Sequence, residues 1–209
     1  MNGSGAIYKF VPDTKGDLSS GQLYALEVQA PSRTGAAVWV PLDRQAVQVN
    51  SDAAATAAGA TGWGRPEDVE IATSTGNSRG GVDVMYVPAT SEALVLAIEL
   101  RGDEAFVTNY VKEGMNVSGL KDPDNVALDS QGNLYILEDN GPGDIWVARP
   151  GHGNAGLPSE VVRFASLSDC SAEPTGVYFD RTGRTMYVHV QHAGGALGND
   201  LLVAIAGEK

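Results

Sequence analysis

Four short apolar strands, each following a polar turn and each carrying one tyrosine, recur along the chain and constrain its fold. The tyrosines are Tyr24, Tyr86, Tyr135 and Tyr187, so successive copies lie 62, 49 and 52 residues apart. One four-stranded propeller blade occupies a period of roughly 50 residues. In the last two copies an Asp-x-x-Gly turn separates two strands, which predicts an antiparallel hairpin. The chain is therefore predicted to be all-β and built from similar units.

The apolar runs group into sets of strands that could form successive blades. Three strands precede residue 43, and further sets of four, four and three strands lie within 68–110, 125–165 and 176–206. Residues 43–60 are rich in alanine and contain Gly59 at their end, which predicts one helical insertion. We therefore predict a single β-propeller-like domain over residues 1–209, with about three to four four-stranded antiparallel blades.

This strand count leaves three architectures open. A closed propeller needs roughly four to eight blades, and a partial ring would leave strand edges unpaired. The chain is thus predicted to be a fragment of a larger propeller, a half-propeller that forms a homodimer through exposed sheet edges, or another closed β-structure.

The charge of the chain excludes some classes of partner. It has 26 acidic and 14 basic residues and a net charge of −12, whereas nucleic acids and anionic membranes select a basic surface. No apolar run approaches the roughly 18 residues of a membrane span, and the first residues lack the pattern of a signal peptide. We expect no nucleic-acid or membrane partner. Clustered carboxylates could serve solubility or hold cations.

Three acidic residues stand just before the inferred first strands of successive units: Glu67, Asp124 and Glu173. Propeller blades place the starts of their innermost strands around one channel, so these side chains could meet in space. Carboxylate oxygens are the ligands that hard cations prefer, and such cations activate the nucleophile of phosphate-ester hydrolysis. Asp124 in Pro-Asp-Asn could equally be a turn former. Asp129 and Asp180, in the Asp-x-x-Gly turns, are predicted to be structural.

Five segments, in order, resemble the PhoX-type alkaline phosphatase family, and specifically its C-terminal portion. The segments are Tyr-Lys-Phe-Val at 8–11 with Gly-Gln-Leu-Tyr at 21–24, Trp-Val-Pro-Leu at 39–42, Arg-Pro-Glu at 65–67, Pro-Asp-Asn at 123–125 with Asn-Leu-Tyr-Ile at 133–136, and 173–192 from Glu-Pro-Thr-Gly to Gln-His. The family's enzymes are longer, and Ala193 replaces an expected proline. We therefore expect part of the family's metal site to lie outside this chain.

The resemblance implies a calcium-dependent, secreted β-propeller phosphatase, hence a periplasmic or extracellular location. It assigns Glu67 and Glu173 as catalytic metal ligands, holding Ca²⁺ with Fe³⁺ as a second candidate ion. Further candidates are Asp124, Glu138 and Asp139 as metal ligands, and Arg65 and His192 as substrate contacts. Residues 138–141 could instead form a hairpin turn, Arg65 could form ion pairs with acids, and His192 could bond a neighbouring loop.

The predicted function is therefore hydrolysis of small phosphate esters through a carboxylate-held metal site. The alternative is a non-catalytic propeller module that binds a ligand, or an inactive fragment of such a phosphatase. Whether the chain is an enzyme thus stays open on its sequence, because only part of a ligand set can be identified.

Overall fold

The computed structural model describes residues 5–73, 81–151, 156–195 and 199–207, and its elements are almost all strands. The strands are β1 Gly5–Ala6, β2 Tyr8–Thr14, β3 Asp17–Val28, β4 Gly35–Pro41, β5 Gly62–Trp63, β6 Glu70–Ala72, β7 Asp83–Ala89, β8 Leu94–Arg101, β9 Glu104–Lys112, β10 Pro123–Leu128, β11 Leu134–Glu138, β12 Asp144–Pro150, β13 Pro158–Ser166, β14 Glu173–Phe179, β15 Thr185–Gln191 and β16 Leu201–Ala206. The helices are α1 Ala46–Val49 and α2 Ser51–Ala57, with 3-10 turns at Thr90–Glu92 and Ala193–Gly195. The predicted all-β fold is confirmed.

The chain divides into two compact units, and strands β8 and β9 contribute residues to both. Unit 1 comprises residues 1–66 and 98–108, and unit 2 comprises residues 67–97 and 109–209. No helix in the described ranges is long and apolar enough to cross a membrane. The closed propeller ring and the single domain over residues 1–209 stay predictions.

Unit 1 is an antiparallel sheet with a helical segment against it. Strands β2, β3 and β4 pair in sequence order, and β4 pairs on its other side with residues 104–107 of β9. The helical segment lies where the alanine-rich sequence predicted it. The Asn50 side chain accepts the N–H of Ala53 at 2.9 Å and begins α2, which is the usual role of an N-terminal cap. Ala55 of α2 then packs into a small core with Ala25 and Leu42.

Unit 2 contains two sheets that correspond to the sets of strands predicted within residues 125–165 and 176–206. Strands β10, β11, β12 and β13 form a four-stranded antiparallel sheet in sequence order. Strands β14, β15 and β16 form a three-stranded antiparallel sheet. Both strand counts agree with the sequence prediction. Strands β6 and β7 pair antiparallel in the same unit.

Sheet β10–β13 is covered on both faces, which explains why its sequence does not alternate cleanly. On one face, Leu134 and Ile136 pack into a core with Tyr86 and Val95. On the other face, Leu137 packs into a second core whose members include Met186, Val188 and Val190 of β15. The β10–β13 sheet is therefore the central layer between two apolar cores of unit 2.

The two Asp-x-x-Gly turns hold their hairpins through the aspartate side chain, as predicted. Asp129 Oδ1 accepts the N–H groups of Gln131 and Asn133, each at 2.9 Å. Asp180 Oδ1 accepts the N–H groups of Arg184 at 2.9 Å and Thr185 at 3.2 Å. Each carboxylate replaces backbone acceptors that the tight turn cannot supply.

Side-chain hydrogen bonds, here called clamps, connect consecutive segments of unit 2. Asp68, just before β6, bonds to β10, and Asn125 of β10 bonds to β14. Asp68 Oδ2 accepts the N–H of Val126 at 3.0 Å, in the part of β10 that follows its register shift between Pro123 and Asn125. Asn125 Oδ1 accepts the N–H of Gly176 and the hydroxyl of Thr175, both at 2.9 Å, where the register of β14 shifts. A register shift leaves backbone groups without ladder partners, and the Asn125 oxygen satisfies the N–H of Gly176 inside the β14 shift.

Candidate functional site

Two predicted metal ligands from different sheets, Asp139 and Glu173, come together at one end of unit 2. Asp139 follows the last residue of β11, and Glu173 is the first residue of β14. The N–H of Gly143 donates to the carbonyl of Ala172 at 3.3 Å, which holds the loop after β11 against the segment before β14. The carboxyl groups of Asp139 and Glu173 lie within hydrogen-bonding reach of each other.

Two residues at the end of β15 complete the surroundings of Glu173. Gln191 pairs with Glu173 across the β14–β15 ladder, and its side-chain amide donates to Glu173 Oε1. His192 Nε2 lies 3.4 Å from the same oxygen. The Glu173 side chain is only 14% exposed. The predicted residues Asp139, Glu173 and His192 therefore form one cluster with Gln191.

The protonation of Glu173 follows from this environment. Burial raises the pKa of its carboxyl group above the ordinary value of 4.5, and the nearby Asp139 carboxyl adds to the rise. The Gln191 amide opposes it, because a donor stabilises the charged form. Two close, poorly hydrated carboxyl groups repel unless they share a proton or a cation. This arrangement suits a bound positive charge.

The carboxylate pair has donors of the right chemistry for calcium but too few for a full site. Carboxylate and amide oxygens are typical calcium ligands, and Ca²⁺ takes roughly six to eight oxygens. Across residues 5–73, 81–151, 156–195 and 199–207, no group of three or more His, Cys, Asp or Glu side chains is arranged to hold a metal ion. The Asp139–Glu173 pair fits a hard cation as a partial ligand set.

Glu138 occupies a different environment from its neighbour Asp139. It is 2% exposed, and its two oxygens face four donors. Oε1 accepts the Lys121 N–H at 2.7 Å and the Trp146 indole N–H at 2.8 Å, and Oε2 accepts the Asp144 N–H at 3.1 Å and the Asn140 amide at 3.4 Å. Burial raises the pKa of Glu138, and the donors of Lys121, Trp146 and Asp144 counter the rise. In the structure Glu138 holds the β11–β12 turn, and its metal-ligand role stays a prediction.

The remaining candidates are Asp124, Glu67 and Arg65. Asp124 is a half-buried residue of β10. Glu67 is exposed, and its N–H donates to the Pro88 carbonyl at 3.2 Å. Arg65 belongs to unit 1, is exposed and has a φ of 52°. The ligand roles of Glu67 and Asp124 and the substrate role of Arg65 stay predictions.

Sequence reasoning missed Gln191, although this residue contacts the predicted ligand Glu173. The Asp-x-x-Gly turn places Tyr178 opposite Tyr187, and simple extension of that register would put Glu173 opposite His192. The ladder shifts by one residue between Thr175 and Val177, so Gln191 lies there instead. A glycine inside the strand, Gly176, was the available signal for this bulge.

A groove of about 420 Å³ opens beside the cluster. Its lining consists of side chains from β14 and β15, of Asp200 just before β16, and of two leucines of β16: Thr175, His189, Val190, Gln191, Asp200, Leu201 and Leu202. Gln191 therefore touches both the groove and the carboxylate cluster. A small organic group could lie in the groove while a charged group contacts the cluster.

Comparison with known proteins identifies one family. The family model described as alkaline phosphatase PhoX matches residues 84–194, which is more than half of the chain. The match contains Asp124, Glu138, Asp139, Glu173 and His192, whereas Glu67 and Arg65 precede it. No curated protein matches the chain.

Proposed function

The chain belongs to the alkaline phosphatase PhoX family, and on that premise we propose that it is a calcium-dependent phosphomonoesterase-like protein. The family is one of metal-dependent phosphatases. The observation that supports this proposal best is the Asp139–Glu173 carboxyl pair, which is held together by the β11–β14 packing and is poorly hydrated. Following the family, we propose a periplasmic or extracellular location.

Asp139 and Glu173 would hold the cation in this proposal. When bound, Ca²⁺, or Fe³⁺ as the second candidate, would supply positive charge that stabilises phosphoryl oxygens and activates a nucleophile. Gln191 orients Glu173 through the amide group that donates to Oε1. Such orienting contacts tune a metal ligand even though they do not touch the metal.

His192 is proposed to contact the phosphate group of the substrate. Its Nε2 lies beside Glu173 Oε1, so a phosphate at the cation would be near the imidazole ring. The ring is partly exposed and can donate from either nitrogen when protonated. Glu67, Asp124 and Glu138 are proposed as further ligands and Arg65 as a phosphate contact, on the family resemblance.

The experiment that tests the function is hydrolysis of p-nitrophenyl phosphate by chelator-treated protein, with Ca²⁺ or Fe³⁺ added back. We expect metal to restore activity in the wild type. We expect Glu173→Gln and Asp139→Asn to lower kcat/KM by on the order of 100-fold or more, since ligand and orienting contacts carry such factors. Glu160→Gln is the matched control, because Glu160 is an exposed acidic residue of β13 that forms an ion pair with Arg149 of β12.

Two results would contradict the proposal. One is a folded wild-type protein without metal-restored hydrolysis, and the other is full activity in Glu173→Gln. Calcium binding by calorimetry separates the causes. Binding without hydrolysis, lost in Glu173→Gln, would support the non-catalytic binding module instead.

A further inference from the structure

The proposed phosphate contact, His192, has a backbone conformation that needs support from its surroundings. His192 directly follows β15 and has a φ of 60°, in the left-handed region. A residue with a β-carbon adopts this region at an energetic cost, and such a conformation persists only where the surrounding structure holds it. The position of the His192 ring therefore depends on the contacts of the turn that follows β15.

This turn is held by one internal hydrogen bond and by two aspartate side chains. The carbonyl of His192 accepts the N–H of Gly195 at 2.8 Å, which closes the turn internally. The N–H of His192 donates to Asp200 Oδ1 at 3.3 Å. The N–H of Gly194 donates to Asp169 Oδ2 at 2.5 Å. Asp169 thus joins the turn to the segment that precedes β14.

The other oxygen of Asp169 holds the segment that leads into Glu173. Asp169 Oδ1 accepts the N–H of Ser171 at 3.0 Å and the hydroxyl of the same residue at 2.7 Å. The carbonyl of Asp169 accepts the N–H of Ala172 at 3.2 Å, and Ala172 directly precedes Glu173. A side-chain oxygen that accepts the N–H two residues later fixes a tight turn. One carboxylate therefore bonds to the segments that carry Glu173 and His192.

The bridge made by Asp169 requires a charged carboxyl group with two acceptor oxygens. Hydrogen bonds from the N–H groups of Ser171 and Gly194 and from the Ser171 hydroxyl hold the pKa of Asp169 below its ordinary value of 3.8. An ionised carboxylate only accepts, through both of its oxygens, and such charge-assisted bonds are stronger than neutral ones. An amide carries donors in place of the second oxygen. In Asp169→Asn one of the two backbone N–H groups would therefore face a donor.

We propose that Asp169 is a positioning residue for His192, because its carboxylate bridge sets where the imidazole ring lies relative to Glu173. The inference rests on the proposed function, in which His192 contacts the phosphate group of the substrate. His192 Nε2 lies 3.4 Å from Glu173 Oε1, so a displaced turn separates the ring from the carboxylate that would hold the cation. Asp169 acts through His192 and needs no contact with the substrate.

A double-mutant cycle on p-nitrophenyl phosphate hydrolysis in Ca²⁺ tests whether Asp169 acts through His192. Asp169→Asn should lower kcat/KM by about 10-fold, in the range of other orienting contacts. In a His192→Ala background the same change should have an effect of less than about 2-fold, because two residues that act as one unit are not additive. Equal effects in the two backgrounds would overturn the proposal.

Asp180→Asn is the matched control for this cycle. Asp180 also accepts backbone N–H groups in a turn, but it lies between β14 and β15, at the end of the hairpin away from Glu173 and Gln191. We expect wild-type kcat/KM in Asp180→Asn. A loss equal to that of Asp169→Asn would show a general effect of weakened turns and would contradict the proposal.

Nuclear magnetic resonance of the metal-free protein gives a second reading that does not depend on activity. The ring resonances of His192 are identified by their loss in His192→Ala. We expect them to shift in Asp169→Asn and to stay in place in Asp180→Asn. If the wild type shows no metal-restored hydrolysis, the proposed function fails, and this shift alone decides whether Asp169 positions His192. Unshifted His192 resonances in folded Asp169→Asn would overturn the proposal whatever the activity.

Asp169→Ser separates the bridge from the local turn. A serine hydroxyl can accept the N–H two residues later, as an aspartate does, so the turn before Glu173 keeps its acceptor while Gly194 loses its own. Asp169→Ser should match Asp169→Asn in both measurements, and it decides the question if Asp169→Asn does not fold. Circular dichroism establishes the fold of each variant. Wild-type activity and unshifted His192 resonances in Asp169→Ser would overturn the proposal.

Discussion

The carboxyl groups of Asp139 and Glu173 are 34 residues apart in sequence and lie within hydrogen-bonding reach in the fold. Each belongs to a different strand set, so the pair forms only when the segments after β11 and before β14 have packed together. The pair therefore reports on tertiary structure as well as on cation binding.

Removal of one carboxylate should stabilise the metal-free protein. In Glu173→Gln the repulsion with Asp139 disappears, and we expect the free energy of unfolding in chelator to rise on the order of 1 kcal/mol. Added calcium should stabilise the wild type and not the variant, because a ligand stabilises only the state that binds it. Urea denaturation with and without Ca²⁺ measures both effects. A destabilised metal-free variant would contradict the expected repulsion.

Truncation of Glu138 should destabilise the fold. Glu138→Ala leaves the indole N–H of Trp146 and the N–H groups of Lys121 and Asp144 without their acceptor, and a buried unpaired donor costs about 1 to 3 kcal/mol. We expect a loss of about 3 kcal/mol or more in urea denaturation. Trp146→Phe should cost less, because it removes only one of the donors. Comparable losses in the two variants would show that packing of the indole ring, rather than the hydrogen bonds, carries the effect.

Turn chemistry and strand grouping were predictable from the sequence, whereas the local contacts of the site were not. The Asp-x-x-Gly spacing is a local signal, so the role of Asp129 followed from the residues of one turn. The acceptor role of Glu138 depends on Trp146, which lies beyond a five-residue loop whose path no local pattern determines. The contact of Gln191 with Glu173 depends on a bulge that shifts the register by one residue.

Acid should weaken the Asp-x-x-Gly turn between β14 and β15, because its aspartate, Asp180, must be charged to hold the turn. Hydrogen bonds from Thr182, Arg184 and Thr185 hold the pKa of Asp180 below its ordinary value of 3.8. The folded state therefore binds fewer protons than the unfolded state, and this stabilisation, complete above the ordinary pKa, is lost as the pH falls through the folded-state pKa. Denaturation midpoints between about pH 5 and about pH 2 should fall less steeply in Asp180→Asn than in the wild type. Parallel profiles would exclude this contribution.

A methyl group at Gly143 should displace the segment that carries Glu173. A Cβ atom there would lie 2.1 Å from Cδ of Pro174 and 3.0 Å from the carbonyl oxygen of Glu138. Overpacking of this kind costs about 1 to 3 kcal/mol, so Gly143→Ala should lower the urea midpoint and weaken calcium binding. Gly207→Ala is the control, because a Cβ atom at Gly207 meets nothing within 4 Å. Equal midpoints for the two variants would show that the loop moves without cost.

In both of the clamps of unit 2, the acceptor residue is synthesised before the donor residue. Asp68 precedes its donor Val126 by 58 residues, and Asn125 precedes its donor Gly176 by 51 residues. The ribosome therefore makes each acceptor well before the donor that it serves. Since protein segments begin to fold as they emerge, each earlier segment of unit 2 can offer an oxygen acceptor to the first strand of the next sheet.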